Sequence, residues 1–472
     1  MSAPYHSLIR RRTLLHRGLA GIGALLPYGA PAQEAPVRRN EGKGPMRITE
    51  IEVHEILLPF HEHNAVTISR YHGLGVQLRT IYVVRTDTGL EGLGDSWGRG
   101  PTRADLERYV GASPFDWLQD TGPLPMNMAC YDLMGKHLGV PAWKLIGPRV
   151  RAWVPVGYWT VSQAPDAMAE EVRQAVRRGY RWLKYHLDEV QNVLAQTEAM
   201  QKVAPPWFRV HFDLNANSHY EAVAPVLREL EKFPIAGRVE DPISAEDRDG
   251  WRLIRERSRL PIIVHHGPLD LLVERRCDGA IAGHAPIGHA MKVAAVAEQM
   301  NLPFMLQQCG GTINQAFLAH EAAVFRMATL DHFSLAHLWS DDVVTERMPV
   351  VSGAVRVPTG PGLGVALDRE KLARYARTPR PEPQRFLVRS RYADGLTVYC
   401  RHNADRPGAT DNLRYIARLH GDGAPGPRPG YANPIVTDFW AEPGDAGFDR
   451  LWRDTEAGPV WTSRADSPRP GG

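Results

Sequence analysis

From about Trp153 to Leu338 the chain repeats one rhythm: a short β-branched or aromatic run, a turn, then an amphipathic helical pattern. The runs fall at 153–160, 181–187, 208–215, 235–242, 261–266, 279–284, 303–308 and 332–338. Between them, segments such as Pro165–Arg178, Tyr220–Lys232 and Ile287–Met300 space their apolar residues for a helix. Eight strands alternating with helices predict an α/β fold of the (β/α) barrel, or TIM-like, type. An open doubly wound sheet shares the alternation, but no glycine-rich phosphate loop accompanies it here.

The pattern ahead of the repeat differs. Met46–Pro59 reads as a strand through Ile48, Ile51, Val53 and Ile56, and Thr80–Thr86 as a second, closed by Asp87-Thr88-Gly89. Gly92-Leu93-Gly94-Asp95 is read as the start of a loop. Pro125–Leu138 turns helical, with Gly139 as its C-cap. These elements predict a small α+β domain over 46–150, ahead of a barrel over 151–350. A turn-rich return follows over 351–380, through Gly360-Pro361-Gly362-Leu363-Gly364. Residues 381–472, rich in Pro, Gly and Arg, are expected to be an appended extension, partly ordered at best.

The first 32 residues carry a different signal: Arg10, Arg11 and Arg12, a weakly apolar run from Gly18 to Leu26, and Ala30-Pro31-Ala32 as a cleavage site. The paired arginines give it a twin-arginine character and predict export to the periplasm, with 33–45 as a linker. A disordered basic tail is the alternative. No later stretch reaches the ~20 apolar residues that span a bilayer.

Composition narrows the function classes. With 56 basic and 53 acidic residues the net charge is +3, which argues for neither nucleic acid nor an anionic membrane as partner. Cys130, Cys277, Cys309 and Cys400 lack CxxC spacing, so neither a zinc knuckle nor a disulfide framework is expected.

In a barrel the chemistry gathers where strands end. The second strand ends Leu183-Lys184-Tyr185-His186, and a spacing of two puts Lys184 and His186 on one face. The third ends in Asp213 and the fourth in Glu240, two carboxylates whose convergence a hard divalent cation would explain. The bland readings are a solvated strand edge for Lys184 and helix N-caps for the acids.

The segment from Met126 to Pro141 (MNMACYDLMGKHLGVP), then Leu145-Ile146-Gly147, Met46-Arg47-Ile48-Thr49 and Pro361-Gly362-Leu363-Gly364-Val365, resembles the enolase superfamily. The likeness is to its mandelate racemase and muconate lactonising branch, over roughly residues 46–376. That resemblance implies an N-terminal capping domain over a modified barrel, and three acids at the third, fourth and fifth strands holding Mg²⁺. Asp213 and Glu240 match the first two. His266 stands where the third belongs, and an imidazole there admits Mn²⁺, Fe²⁺ or Zn²⁺ as well as Mg²⁺; His265 is expected to face away. Where relatives carry an Asp–His dyad, or a Lys, at the sixth and seventh strands, this chain has His284 and Gln307.

The resemblance implies removal of a proton next to a carboxylate, with Lys184 or His186 as base and His284 as acid. Dehydration of a sugar acid is the first expectation and racemisation or epimerisation the second. The substrate would be a small carboxylate, and family members are often multimeric. His61-Glu62-His63, Arg70-Tyr71-His72-Gly73 and Gly94-Asp95-Ser96-Trp97 resemble loops that cover the barrel mouth. Two other classes stay open: a non-catalytic scaffold, and a metal hydrolase using His186, Asp213, His266 and His284 around zinc.

Overall fold

A computed structural model describes residues 46–72, 78–98, 100–187, 191–216, 218–379, 385–401 and 435–462, with the side chains of 70–72 left aside. The expected leader and linker lie outside the described residues, as does Gly73, while Arg70, Tyr71 and His72 of the expected loop are the end of a helix.

The N-terminal domain is a three-stranded antiparallel sheet, β1 (Ile48–Leu57), β2 (Leu78–Thr86) and β3 (Glu91–Trp97), with helix α1 (Glu62–His72) between the first two strands. The expected loop at Gly92–Asp95 is in fact strand β3, paired with β2 from Arg85↔Glu91 to Arg79↔Trp97. Its glycines serve close packing. A Cβ on Gly94 would lie 2.2 Å from the Pro125 carbonyl oxygen of helix α2 (Leu124–Leu138). That helix ends at Gly139, whose φ of 67° supplies the left-handed cap.

Seven parallel strands then form one sheet in sequential order: β4 (Tyr158–Val161), β5 (Trp182–His186), β6 (Arg209–Asp213), β7 (Ala236–Glu240), β8 (Ile262–Val264), β9 (Gly279–Gly283) and β10 (Phe304–Gln307). The eighth expected run closes the ring. Phe333 N donates to Leu306 O at 3.2 Å on one side, and His332 N donates to Pro155 O at 3.0 Å on the other. Helices α3 (Pro165–Arg177), α4 (Val193–Val203), α5 (Tyr220–Leu230), α6 (Arg248–Arg257), α7 (Ile287–Met300) and α8 (Thr312–Val324) wrap the outside. The return packs on α2 as expected, with Leu363 N donating to Asp132 Oδ1 at 2.9 Å.

Within the C-terminal extension, residues 385–401 and 435–462 are described. β11 (Leu387–Tyr392), β12 (Thr397–Arg401), β13 (Ile435–Trp440) and β14 (Val460–Thr462) make a four-stranded antiparallel sheet, joined by helix α9 (Ala446–Asp454). Its strands alternate buried and exposed residues, and Phe386, Val388, Val398 and Ile435 form a core of their own. The buried Gln191, in the loop after β5, donates to Thr437 O at 2.7 Å. All four cysteines are free thiols. Among the described residues no helix is long and apolar enough to cross a membrane.

Candidate active site

Register decides which side chains enter the barrel. In the parallel ladder Lys184 is level with His211 and His186 with Asp213, while Asp213 is level with Glu240. Residues level in a ladder share a face, so these five side chains gather inside the C-terminal half of the barrel.

Lys184 is fully buried, and its Nζ is 3.0 Å from Asp213 Oδ2 and 2.7 Å from Glu240 Oε2. It also donates to Glu240 Oε1 at 2.9 Å and to Gln307 Oε1. Burial alone would lower the amine's pKa; Asp213 and Glu240 outweigh it and hold the ammonium above its ordinary value. The two acids diverge. Burial and the neighbouring Glu240 charge push Asp213 up to about 8. Burial also works against Glu240, but Lys184, His211 and His265 hold it well below the usual carboxylate range. The pair thus shares one net negative charge against one ammonium.

His186 stands at the edge of this cluster, its side chain 17% exposed and its Nε2 3.3 Å from Asp213 Oδ2. The Trp159 ring meets it edge-on, with centroids 5.1 Å apart. Below, Arg238 Nε donates to His211 Nδ1 at 3.0 Å, which leaves the proton on Nε2, 2.8 Å from Glu240 Oε2. Burial, with Arg238 and Lys184 nearby, lowers the His211 pKa to about 3. His211 and Arg238 escaped the sequence reading, although each precedes a named acid by two residues. Period two was the signal that could have found them.

The third expected ligand needs correction. His266 does not reach Glu240: its side chain is 58% exposed, and Nδ1 donates to Asp241 Oδ2 at 2.7 Å. His265, expected to face away, is the residue that donates from Nδ1 to Glu240 Oε1, at 3.0 Å. Strand β8 stops at Val264, so strict alternation no longer governs the two histidines. Asp241 redirects them by accepting the His265 and His266 backbone N–H groups at 2.7 and 2.9 Å. Ligand atoms of Asp241, His265 and His266 lie within 4.8 Å of one another. With these donors already on its oxygens, however, Asp241 is the anchor of a turn.

His284 follows β9 and adopts φ 50°; Asp241 and Asn215, just past β7 and β6, have φ 43° and 52°. Left-handed backbone at non-glycine residues costs about 1–3 kcal/mol, and here it is concentrated at the barrel mouth. The His284 ring opens into the mouth and stacks on Trp97 with centroids 6.1 Å apart. The surrounding protein, with His265 and Lys184 nearby, lowers its pKa to about 4, so the ring is neutral near pH 7. β5 and β9 are four strands apart in the ring of eight, which sets His186 and His284 across the mouth from one another.

Two loops expected over the mouth lie elsewhere. His63 pairs with Glu171 at 3.2 Å and approaches Tyr158, on the outward face of β4. Asp95 is buried in an ion pair with Arg79 at 2.7 Å. Only Trp97, at the end of β3, reaches the site from that strand, through His284.

Asp213 Oδ2 and Glu240 Oε2 are buried carboxylate oxygens on neighbouring strand ends, both turned toward the Lys184 ammonium. With the His265 ring beside Glu240 they offer two hard oxygens and one nitrogen, which suits a divalent cation.

The fold and sequence have counterparts among known proteins. Residues 167–371 match the family model described as enolase C-terminal domain-like. The chain is 29% identical over 273 residues to muconate cycloisomerase 1-2 of Acinetobacter lwoffii, covering 54% of this chain and 70% of that one. It is 28% identical over 347 residues to D-xylonate dehydratase of Haloferax volcanii, covering 60% and 82%. The muconate lactonizing enzyme of Pseudomonas fluorescens, solved with muconolactone, superposes with a TM-score of 0.59 at 22% identity, over 70% of this chain and 99% of that one. This last likeness speaks for the fold.

Proposed function

Because the chain belongs to the enolase superfamily, in its mandelate racemase and muconate lactonising branch, we propose that it takes the α-proton from a small carboxylate and dehydrates a hydroxylated sugar acid. The observation that carries this reading is the arrangement on β5. Lys184 is fixed as a buried ammonium between Asp213 and Glu240, and His186, two residues on, faces the mouth beside it.

A proton next to a carboxylate is weakly acidic, so positive charge must meet the oxygens of the developing enediolate. Members of the superfamily generally use a divalent cation, usually Mg²⁺. Asp213, Glu240 and His265 would hold it here, and when bound it would supply Lewis-acid stabilisation. The His265 nitrogen opens the site to Mn²⁺, Fe²⁺ or Zn²⁺ as well.

Lys184, held protonated, contributes fixed charge and is not the base. His186 is the base: the carboxylate 3.3 Å from Nε2 orients the ring and stabilises the imidazolium that forms. That imidazolium then returns the proton to the β-hydroxyl, which leaves as water, and the remaining enol becomes a 2-keto acid. Gln307 anchors Lys184, and neutral His284 hydrogen-bonds a substrate hydroxyl from across the mouth.

One observation favours a second reading. Two imidazoles on opposite sides of the mouth could exchange a proton across one carbon, giving racemisation or epimerisation. The zinc hydrolase reading loses its ligand set, because His266 turns outward onto Asp241. The twin-arginine-type leader makes the periplasm the proposed site of action.

The test is proton NMR of sugar acids, including xylonate, gluconate and galactonate, in D₂O with the protein and Mg²⁺ or Mn²⁺. Loss of the α-proton signal with a 2-keto product deuterated at C3, both abolished in His186→Asn, supports dehydration. Exchange without the keto acid supports the racemase reading. No exchange on any acid, from folded and metal-loaded protein, leaves the scaffold reading.

A further inference from the structure

Outside the barrel wall lies a second concave site. A cavity of about 230 Å³ is lined by Arg178 at the end of α3, Tyr180, Gln315 of α8, His337, Arg347 and His61, with apolar residues completing it. It belongs to the outward layer. Trp159 is level with Lys184 and points inward, whereas Tyr158 points outward and packs on His337 with ring centroids 4.1 Å apart.

The charge in this cavity has one sign. Arg178 donates to His337 O at 3.0 Å and to Gln174 Oε1 at 3.5 Å. Arg347 donates to Trp339 O at 3.1 Å and to Ala336 O. Among the described residues neither guanidinium pairs with a carboxylate. The acids nearby are committed elsewhere. Glu171 takes bonds from Tyr158, Thr160, Gln163 and Asn64 and pairs with His63. Asp342 is held by Arg79 and Thr312. The two histidines register the imbalance: burial first, then Arg178 and Arg347, lower His61 to about 4, and burial with Arg178 lowers His337 to about 3. Two guanidiniums usually find carboxylates in a protein interior; here backbone carbonyls and one side-chain amide receive them, and the space between is open.

We propose that this cavity binds a small oxyanion, a free phosphate or the carboxylate of a small organic acid, at a site separate from the barrel mouth. Arg178 and Arg347 supply the charge, while Tyr180, Gln315 and the neutral rings of His61 and His337 supply hydrogen bonds. The volume suits an ion of phosphate size or a short organic acid. The site also adjoins the chemistry: His337 Nε2 lies 3.0 Å from Trp159 N, and the Trp159 ring packs on His186.

Calorimetric titration of the full chain with sodium phosphate, and separately with acetate, which lacks the hydroxylated chain of the proposed substrates, at constant ionic strength tests this. One ion per chain is expected, weakened about tenfold or more by Arg178→Met and by Arg347→Met. Arg177→Met removes the same charge one residue away, from an exposed side chain, and Glu240→Gln alters the mouth; both should bind as the wild type does. Tighter phosphate would identify an inorganic ion site, and tighter acetate an organic-acid site. Should either arginine variant fail to fold, Arg178→Lys, which keeps the charge but loses the fork, replaces it and should weaken binding less. Equal loss in Arg177→Met, no loss in the cavity variants, or no heat up to about 10 mM of either ligand would overturn the proposal.

Discussion

Among the described residues, two fully buried clusters set one cation between two carboxylates, and they differ in what else surrounds the acids. In the capping domain Arg79 bonds Asp95 through Nε and Nη2 at 3.2 and 2.7 Å and Asp342 through Nη1 at 2.9 Å. Every carboxylate there has further donors. Gly311 N reaches Asp95 Oδ2 at 2.7 Å, and Thr312 N and Val343 N reach Asp342 at 2.7 and 2.8 Å. In the barrel, Lys184 meets Asp213 and Glu240 as closely, yet the other groups around Asp213 Oδ2 and Glu240 are imidazoles, His186 beside the first and His211 and His265 beside the second. A fixed fork whose acids are also held by backbone N–H groups is a strut between the cap sheet and the segment after the eighth barrel strand. An ammonium whose acids are otherwise met by imidazoles, one of them partly exposed, is a polar cluster that opens on the barrel mouth.

The largest effect that could break this comparison is loss of the strut. Arg79→Met leaves Asp95 and Asp342 buried without a cation and should destabilise the chain by about 3–5 kcal/mol. Denaturant melts should show the same loss with and without divalent ions. Lys184→Met should cost about as much in metal-free buffer. Mn²⁺ or Mg²⁺ should restore part of that stability by occupying the two carboxylates, while α-proton exchange stays abolished. If divalent ions rescue neither variant, the barrel cluster is a second strut and the metal assignment falls.

The histidines after β8 give a smaller effect. His265→Asp replaces the nitrogen beside Glu240 with an oxygen donor and should shift preference from Mn²⁺ or Zn²⁺ toward Mg²⁺, read as a change of about tenfold in relative affinity. His266→Asn, at an exposed ring bound to Asp241, should leave metal affinity within about twofold. The reverse pattern would reinstate His266 as the ligand.

That pair also marks where sequence reasoning stops. The barrel is legible because eight β runs alternate with amphipathic helices, and Lys184, His186, Asp213 and Glu240 are legible because each lies in the last residues of a run. Inside a strand, period two assigns the face. His265 and His266 lie one and two residues past the strand end, where Asp241 sets the backbone, and no period applies. Asp95 was misplaced because Gly92 and Gly94 read as a turn, whereas they let β3 lie against α2. The sheet of the extension escaped composition because β13 pairs with β11 across more than forty residues, a contact that local composition does not announce. The external basic cavity was illegible throughout. His61, Arg178, Gln315 and Arg347 come from four separate segments and meet only in the folded chain.

A carboxylate with no cation at all completes the comparison. Glu321, fully buried in α8, accepts from Gln308 Nε2 at 2.5 Å and has no charged partner; burial raises its pKa to about 8. The folded chain therefore holds a proton at pH 6–7 that an unfolded glutamate, with a pKa near 4.5, has lost. The sign follows from linkage: this contribution to stability is fully present below about pH 4.5 and is lost as pH rises through about 8. Glu321→Gln, neutral at every pH, should escape that loss. Its melting temperature should match the wild type near pH 4.5 and exceed it by about 2–4 °C at alkaline pH, where charging Glu321 leaves an ion with nothing to balance it. Parallel melting curves for the two proteins from pH 5 to pH 9 would mean that Glu321 ionises without penalty. Burial alone would then not separate neutral from charged carboxylates in this fold, and the raised pKa of Asp213 would lose its physical basis.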